Sequence, residues 1–74
     1  MRNSLVKVLW RDIIGTAGWE KAEDVEPPIF ESIGWLVQKN RHTIKVATTK
    51  DEKGHYFAIH AFPRGCVLGI EELG

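Results

Sequence analysis

The sequence predicts an all-β domain: five short antiparallel strands joined by turns and curled into a small closed or nearly closed barrel. Three observations predict it. Short runs rich in Val, Ile, Leu, Thr and aromatic residues recur along the chain, each bounded by Gly, Pro, Asn or Asp. The stretch from Thr43 to Lys50 alternates cleanly, with Ile44, Val46 and Thr48 opposite Lys45 and Ala47. The segment Phe62-Pro63-Arg64-Gly65-Cys66-Val67 reads as a tight corner between two strands. Proline removes a ladder donor there, and glycine permits backbone angles that other residues resist. Scattered glycines and β-branched runs speak against a helix bundle.

In order, Leu5 to Trp10 is the first strand. Arg11 to Pro28 follows as a long loop: Gly15 and Gly18 bracket Thr16-Ala17, then come Trp19, the acids Glu20, Glu23, Asp24 and Glu26, and Pro27-Pro28. One helical turn is expected near Glu20 to Val25. Trp19 is expected to fold back onto the barrel, because its ring is large and apolar. Ile29 to Gln38 is the second strand, with Ile33, Trp35 and Val37 on one face and Ser32, Gly34 and Leu36 on the other. Gly34 marks a bulge, a bend or a close backbone approach. Lys39-Asn40-Arg41-His42 is a polar turn, and Thr43 to Lys50 is the third strand. Asp51-Glu52-Lys53-Gly54 forms a hairpin connection. His55 to Pro63 and Cys66 to Leu73 are the fourth and fifth strands. Both are apolar on both faces, as strands covered twice are.

A chain of 74 residues makes one domain, 1–74, and a core this small rarely supplies more than about 3–5 kcal/mol. Such domains lean on disulfides, a metal or self-association. Cys66 is the only cysteine, so no disulfide forms within one chain, and it reads as a small apolar residue. The three histidines lack ligand spacing. No metal and no cofactor is expected, which leaves oligomerisation. Ten basic and ten acidic side chains balance, which excludes a uniformly basic nucleic-acid binder. No apolar run is long enough to span a membrane, and Met1-Arg2-Asn3-Ser4 lacks a signal-peptide pattern. A cytoplasmic location is the expectation.

The neutral balance conceals a segregation. In an antiparallel meander successive turns alternate between ends. The turns at 39–42 and 63–65 then share one end, gathering Lys39, Arg41, His42 and Arg64 with no acid. The turn at 51–54 and the entry to the acidic loop share the other. Solvated turns are charged in any case, so the pattern reads either as a phosphate site or as a wet surface. Enzyme motifs fail. Gly15-Thr16-Ala17-Gly18 is too short for a P-loop and lacks Lys-Ser or Lys-Thr. Ser4 and Ser32 have no nucleophile-elbow context, and Asp51-Glu52 reads as a solvated turn. No catalytic activity is expected. Trp10, Trp19, Trp35, Tyr56, Phe57 and Phe62 read as core or subunit interface, or else as platforms for a base. Tyr56, His60 and Phe62 fall on one strand face, either a partner contact or a ligand wall.

Arg64-Gly65-Cys66-Val67 followed by Ile70 resembles the second signature of the Sm/Lsm family, and Gly34-Trp35-Leu36 resembles the Gly-x-Leu of the first. The resemblance covers about half of the chain. It implies a strongly bent five-stranded SH3-like barrel, assembly into rings, and nucleotide binding at 39–42 and 63–65, with Lys39, Arg41, His42, Arg64 and Gly65 as site residues. The family's Asp and Asn in the first signature's loop have no counterpart in the shorter Lys39-Asn40-Arg41-His42 turn. A second resemblance, to short phage or marine-virus proteins, rests on Trp10-Arg11-Asp12, Gly18-Trp19, Gly34-Trp35-Leu36-Val37, Pro63-Arg64-Gly65-Cys66 and Ile70-Glu71-Glu72-Leu73. It implies a viral origin and hence the host cytoplasm. The function expected is therefore a non-enzymatic, homo-oligomeric RNA- or DNA-binding protein of Sm-like type. The alternatives are a phage sponge that sequesters a small nucleotide signal, and a structural assembly module.

Overall fold

β-Branched and aromatic side chains fit a pleated, half-buried surface, and each of the runs above forms a strand. The computed structural model describes residues 3–13, 15 and 17–74. Met1, Arg2 and Thr16, which entered the readings of the N-terminus and of the Gly15–Gly18 loop, lie outside them, as does Ile14. The strands are β1 (Leu5–Arg11), β2 (Ile29–Lys39), β3 (Thr43–Lys50), β4 (Tyr56–Pro63) and β5 (Val67–Glu72). They form one antiparallel sheet in the order β4-β3-β2-β1-β5. Among the described residues helix is confined to two single 3₁₀ turns, Ala22–Asp24 and Arg64–Cys66. The first falls where a helical turn was expected. Among the described residues no helix is long and apolar enough to cross a membrane.

The β1–β2 register pairs Val6 with Gly34, Val8 with Ser32 and Trp10 with Phe30, so these side chains share the inner face, as the alternation in β2 requires. Trp10 Nε1 donates to Ser32 Oγ at 2.9 Å, which satisfies the indole's polar end. The sheet rolls so that strands that share no ladder meet: the rings of Trp10 on β1 and Phe62 on β4 lie 5.2 Å apart. Inside the roll Val6, Val8, Ile44, Val46 and Phe62 are buried, with Trp10, Leu36, Val67 and Ile70 packed around them. On the outer face Lys7 pairs with Glu71 at 3.0 Å, and that hydrogen bond raises its ammonium above the ordinary lysine range.

Closure of the ladder, expected from the sequence, is not observed: β4 and β5 are the two open edges. The corner explains it. Pro63 has no N–H to give, Arg64 donates its own to His42 of the neighbouring turn, and the Val67 N–H folds back to the Arg64 carbonyl. Cys66 accordingly belongs to the 3₁₀ turn and not to β5. Gly65 is a further correction. Its φ is not positive and a Cβ there would meet open space, so the turn does not require glycine.

Gly34 does have the role its position suggests. A Cβ there would overlap the carbonyl oxygen of Ala47 and Cγ1 of Val46, so β2 and β3 can approach only without one. From this point the two strands part. β2 pairs with β3 from Trp35 to Lys39, and its earlier residues pair with β1. Past Ala47, β3 pairs with β4 alone, through Thr49 with Phe57 and Lys50 with Tyr56. A two-stranded ribbon results, capped by the Asp51–His55 turn with Gly54 at φ +87°. The molecule measures 51 × 21 × 20 Å, and its radius of gyration is 15.1 Å. A compact chain of this length would have a radius near 11 Å by the usual scaling. Contrary to the expected docking, Trp19 is fully exposed.

Candidate functional site

Two turns build the basic corner. In the first, Asn40 Oδ1 accepts the N–H groups of His42 and Thr43, both at 2.9 Å, and the Thr43 hydroxyl at 3.2 Å. This local bonding is what makes asparagine a turn residue. In the second, the backbone N–H of Arg64 donates to the His42 carbonyl at 2.9 Å. Arg64 Nε donates to the Asn40 carbonyl at 3.0 Å. The two turns are therefore locked to each other, and the bond at Nε holds the guanidinium against the 39–42 backbone. Lys39, Arg41, His42, Arg64 and Gly65 are all exposed. Among the described residues none of these cations stands in an ion pair.

Beside the corner lies a cleft of about 400 Å³. One wall is the end of β1 and the residues just after it, Trp10 to Ile13. The other is Ile59 to Pro63 on β4, with Cys66 joining them. The cleft exists because the sheet rolls without closing, which leaves the β1 and β4 ends facing each other. The entry to the long loop thus shares a cleft with Ile59 to Pro63, although along β2 it lies at the opposite end from the 39–42 turn, as the alternation of turns places it. Asp12 accordingly brings a carboxylate to the cleft. Its Oδ1 accepts the Ile13 N–H at 2.7 Å.

The three aromatic candidates on β4 do not stay together. His60 and Phe62 stack with centroids 6.5 Å apart and planes 25° apart, and Phe62 backs onto Trp10. Tyr56 packs instead on Trp35, 6.2 Å away, whose ring also carries the Lys50 ammonium at 4.8 Å. Between Tyr56 and His60, Ala58 adopts φ +56°, while the pairing with β3 keeps one register on either side of it, Ala47 with Ile59 and Thr49 with Phe57. Phe62 itself is a core residue, 5% exposed, and only His60 offers an open ring.

Trp10, Arg11, Asp12 and Cys66 line the cleft without having been singled out as site residues. Trp10-Arg11-Asp12 stood in the sequence as a short motif at a strand end. Nothing in its spacing, however, said that the end of β1 would face β4. Comparison with protein-family models, with curated proteins and with solved structures returns no match for this chain.

Proposed function

We propose that this chain is a non-enzymatic, self-associating protein on an SH3/Sm-like rolled sheet that binds single-stranded RNA or DNA. The phosphates lie at the corner formed by Lys39, Arg41, His42 and Arg64. The observation that carries this reading is the pair of hydrogen bonds that Arg64 donates to the 39–42 turn. It gathers exposed cations from two distant parts of the sequence and orients the guanidinium. Arginine suits phosphate because its planar fork offers several donors in fixed geometry, and those at Nη remain when Nε is engaged. The pairing of β1 with both β2 and β5, and the roll that brings Trp10 onto Phe62, support the Sm-like reading of the fold.

Self-association is supported by area. The chain exposes 5794 Å², whereas a folded monomer of this mass exposes about 4,600 Å² by the usual scaling. The excess exceeds the roughly 800 Å² that one partner buries in a standard interface. Phe57 and Ile59 on the open edge strand β4 are 56% and 53% exposed. These same features favour a second reading, an assembly module whose charges only solubilise it.

A salt titration separates the two. Labelled single-stranded oligonucleotides are expected to bind with an affinity that falls as salt rises, and Arg64→Ala to reduce the slope of log K against log salt by about 1. No retention at low salt would leave the assembly reading standing alone.

A further inference from the structure

We infer that the cleft between the end of β1 and β4 is a pocket for one nucleobase of the bound strand, selective for bases that carry an amino group. The inference rests on the nucleic-acid reading above and adds to it the part of the strand that carries sequence.

Size and walls come first. A cleft of about 400 Å³ lies in the range of small-molecule sites, ample for a single base. Its aromatic wall is made of Trp10, Phe62 and His60: Phe62 is buried with Trp10 5.2 Å away, and His60, two residues along β4 with its ring 6.5 Å from that of Phe62, is exposed. An exposed ring beside two fixed ones is a ready platform for stacking. Ile13 and Ile59, 87% and 53% exposed, flank the opening with apolar surface that a base would cover.

The rim supplies the selectivity. Asp12 lines the cleft, and the Ile13 N–H held by its Oδ1 fixes the carboxylate there. A carboxylate repels phosphate and only accepts hydrogen bonds, so its suitable partner is an N–H donor. Cytosine presents such a donor at N4 and adenine at N6, while uracil and thymine present a carbonyl oxygen at the matching position, which repels the carboxylate, and keep only the adjacent N3–H as a donor. The neighbouring Arg11 offers donors to a base's own acceptors. Continuity completes the argument. Pro63 lines the cleft and Arg64, the next residue, is anchored in the basic corner. Arg64 itself lines a separate hollow with Ile44 and Val67 to Ile70, so the strand would pass over Pro63 between its base in the cleft and its phosphate at the corner.

The test compares labelled oligo(C) with oligo(U), two pyrimidines of matched size, by fluorescence anisotropy. The unmodified chain is expected to prefer oligo(C) by about five-fold or more. Asp12→Asn keeps an oxygen for the Ile13 N–H but turns an amide donor toward the base, so the preference should vanish or invert toward oligo(U). His60→Ala should weaken oligo(C) by about five-fold or more, with the circular dichroism spectrum unchanged. Equal binding of the two homopolymers by the unmodified protein would overturn the pocket. So would a preference that survives Asp12→Asn. In either case an Arg64-dependent salt slope keeps the phosphate reading intact, whereas absence of all binding removes both.

Discussion

The rolled base of this molecule and the ribbon that extends from it are made from the same two strands, yet they are held differently. In the base, β3 is flanked by β2 and β4, Ile44 and Val46 are almost wholly buried, and Phe62 reaches across to Trp10. In the ribbon, from Thr48 to Phe57, the same strands have ladder partners only in each other. Thr48, Thr49 and Phe57 are exposed, and the clasp is one aromatic pair, Trp35 with Tyr56, beside Lys50. An isolated two-stranded hairpin is marginal in water. The comparison teaches that cooperativity stops near Ala47: the base should open only with the whole fold, and the ribbon by itself at lower cost.

Gly34 is the sharpest place to break that contrast, because it lies where β2 leaves β3. Gly34→Ala must push a methyl group into the Ala47 carbonyl and the Val46 side chain. Overpacking of this kind costs about 1–3 kcal/mol, and here part of the obstacle is backbone, which yields less readily than a side chain. Chemical denaturation is expected to show a global loss in that range, large against the roughly 3–5 kcal/mol that a domain of this size commands. A loss confined to the ribbon, with the base unchanged, would show that the two regions do not join at this residue.

A smaller effect, of opposite sign, is expected at the root of the ribbon. Ala58 carries φ +56°, a conformation that costs an L-residue about 1–2 kcal/mol. Glycine adopts it freely but loses about 0.5–1 kcal/mol more in chain entropy on folding. Ala58→Gly should therefore stabilise by about 0.5–1 kcal/mol, the difference between those two costs. Thr48 Oγ1, which reaches the Ala58 carbonyl at 3.5 Å, should keep its partner. Denaturation midpoints of the two proteins decide the sign. A destabilised glycine variant would mean that the left-handed residue is held without strain.

Most of the fold was legible in the sequence because strands announce themselves locally. Thr43 to Lys50 alternates, Asp51 to Gly54 has turn chemistry, and Pro63-Arg64-Gly65 punctuates the end of β4. The meeting of the 39–42 and 64–66 turns followed from antiparallel order alone, and the Arg64 bonds to Asn40 and His42 join them. What escaped was of three kinds. Departures from regular backbone, such as the left-handed Ala58, leave no mark in residue type, and the packing of Tyr56 on Trp35, apart from His60 on Phe62, was not legible in the alternation. Long-range consequences of curvature also escape a strand-by-strand reading. The cleft depends on how far the sheet rolls, and that alone places Arg11 and Asp12 opposite Ile59 to Pro63. Trp19 shows a third limit: its size argues for burial, yet nothing in the loop around it supplies a surface to bury it.

The smallest expected effect lies at the ribbon's tip, and it is set by pH. Asp51 accepts the His55 N–H at 2.8 Å and the Lys53 N–H at 2.9 Å, and its second oxygen meets His55 Nδ1 at 2.9 Å. The His55 backbone bond, foremost among these, holds the carboxyl below its usual value of 3.8. A carboxyl depressed in the folded state stabilises it fully above the unfolded value and loses that contribution as pH falls through the folded one. The tip should thus be firm at neutral pH and loosen only in acid, below the ordinary carboxylate range. Asp51→Asn keeps one acceptor and loses the charge, so its tip should open more readily at neutral pH and show no further loosening in acid. Exchange of the Lys53 and His55 amides, corrected for intrinsic rates, reports this without involving the base. If both proteins lose protection in parallel as pH falls, the acid response belongs to another group, and the ribbon is held by Trp35 and Tyr56 alone.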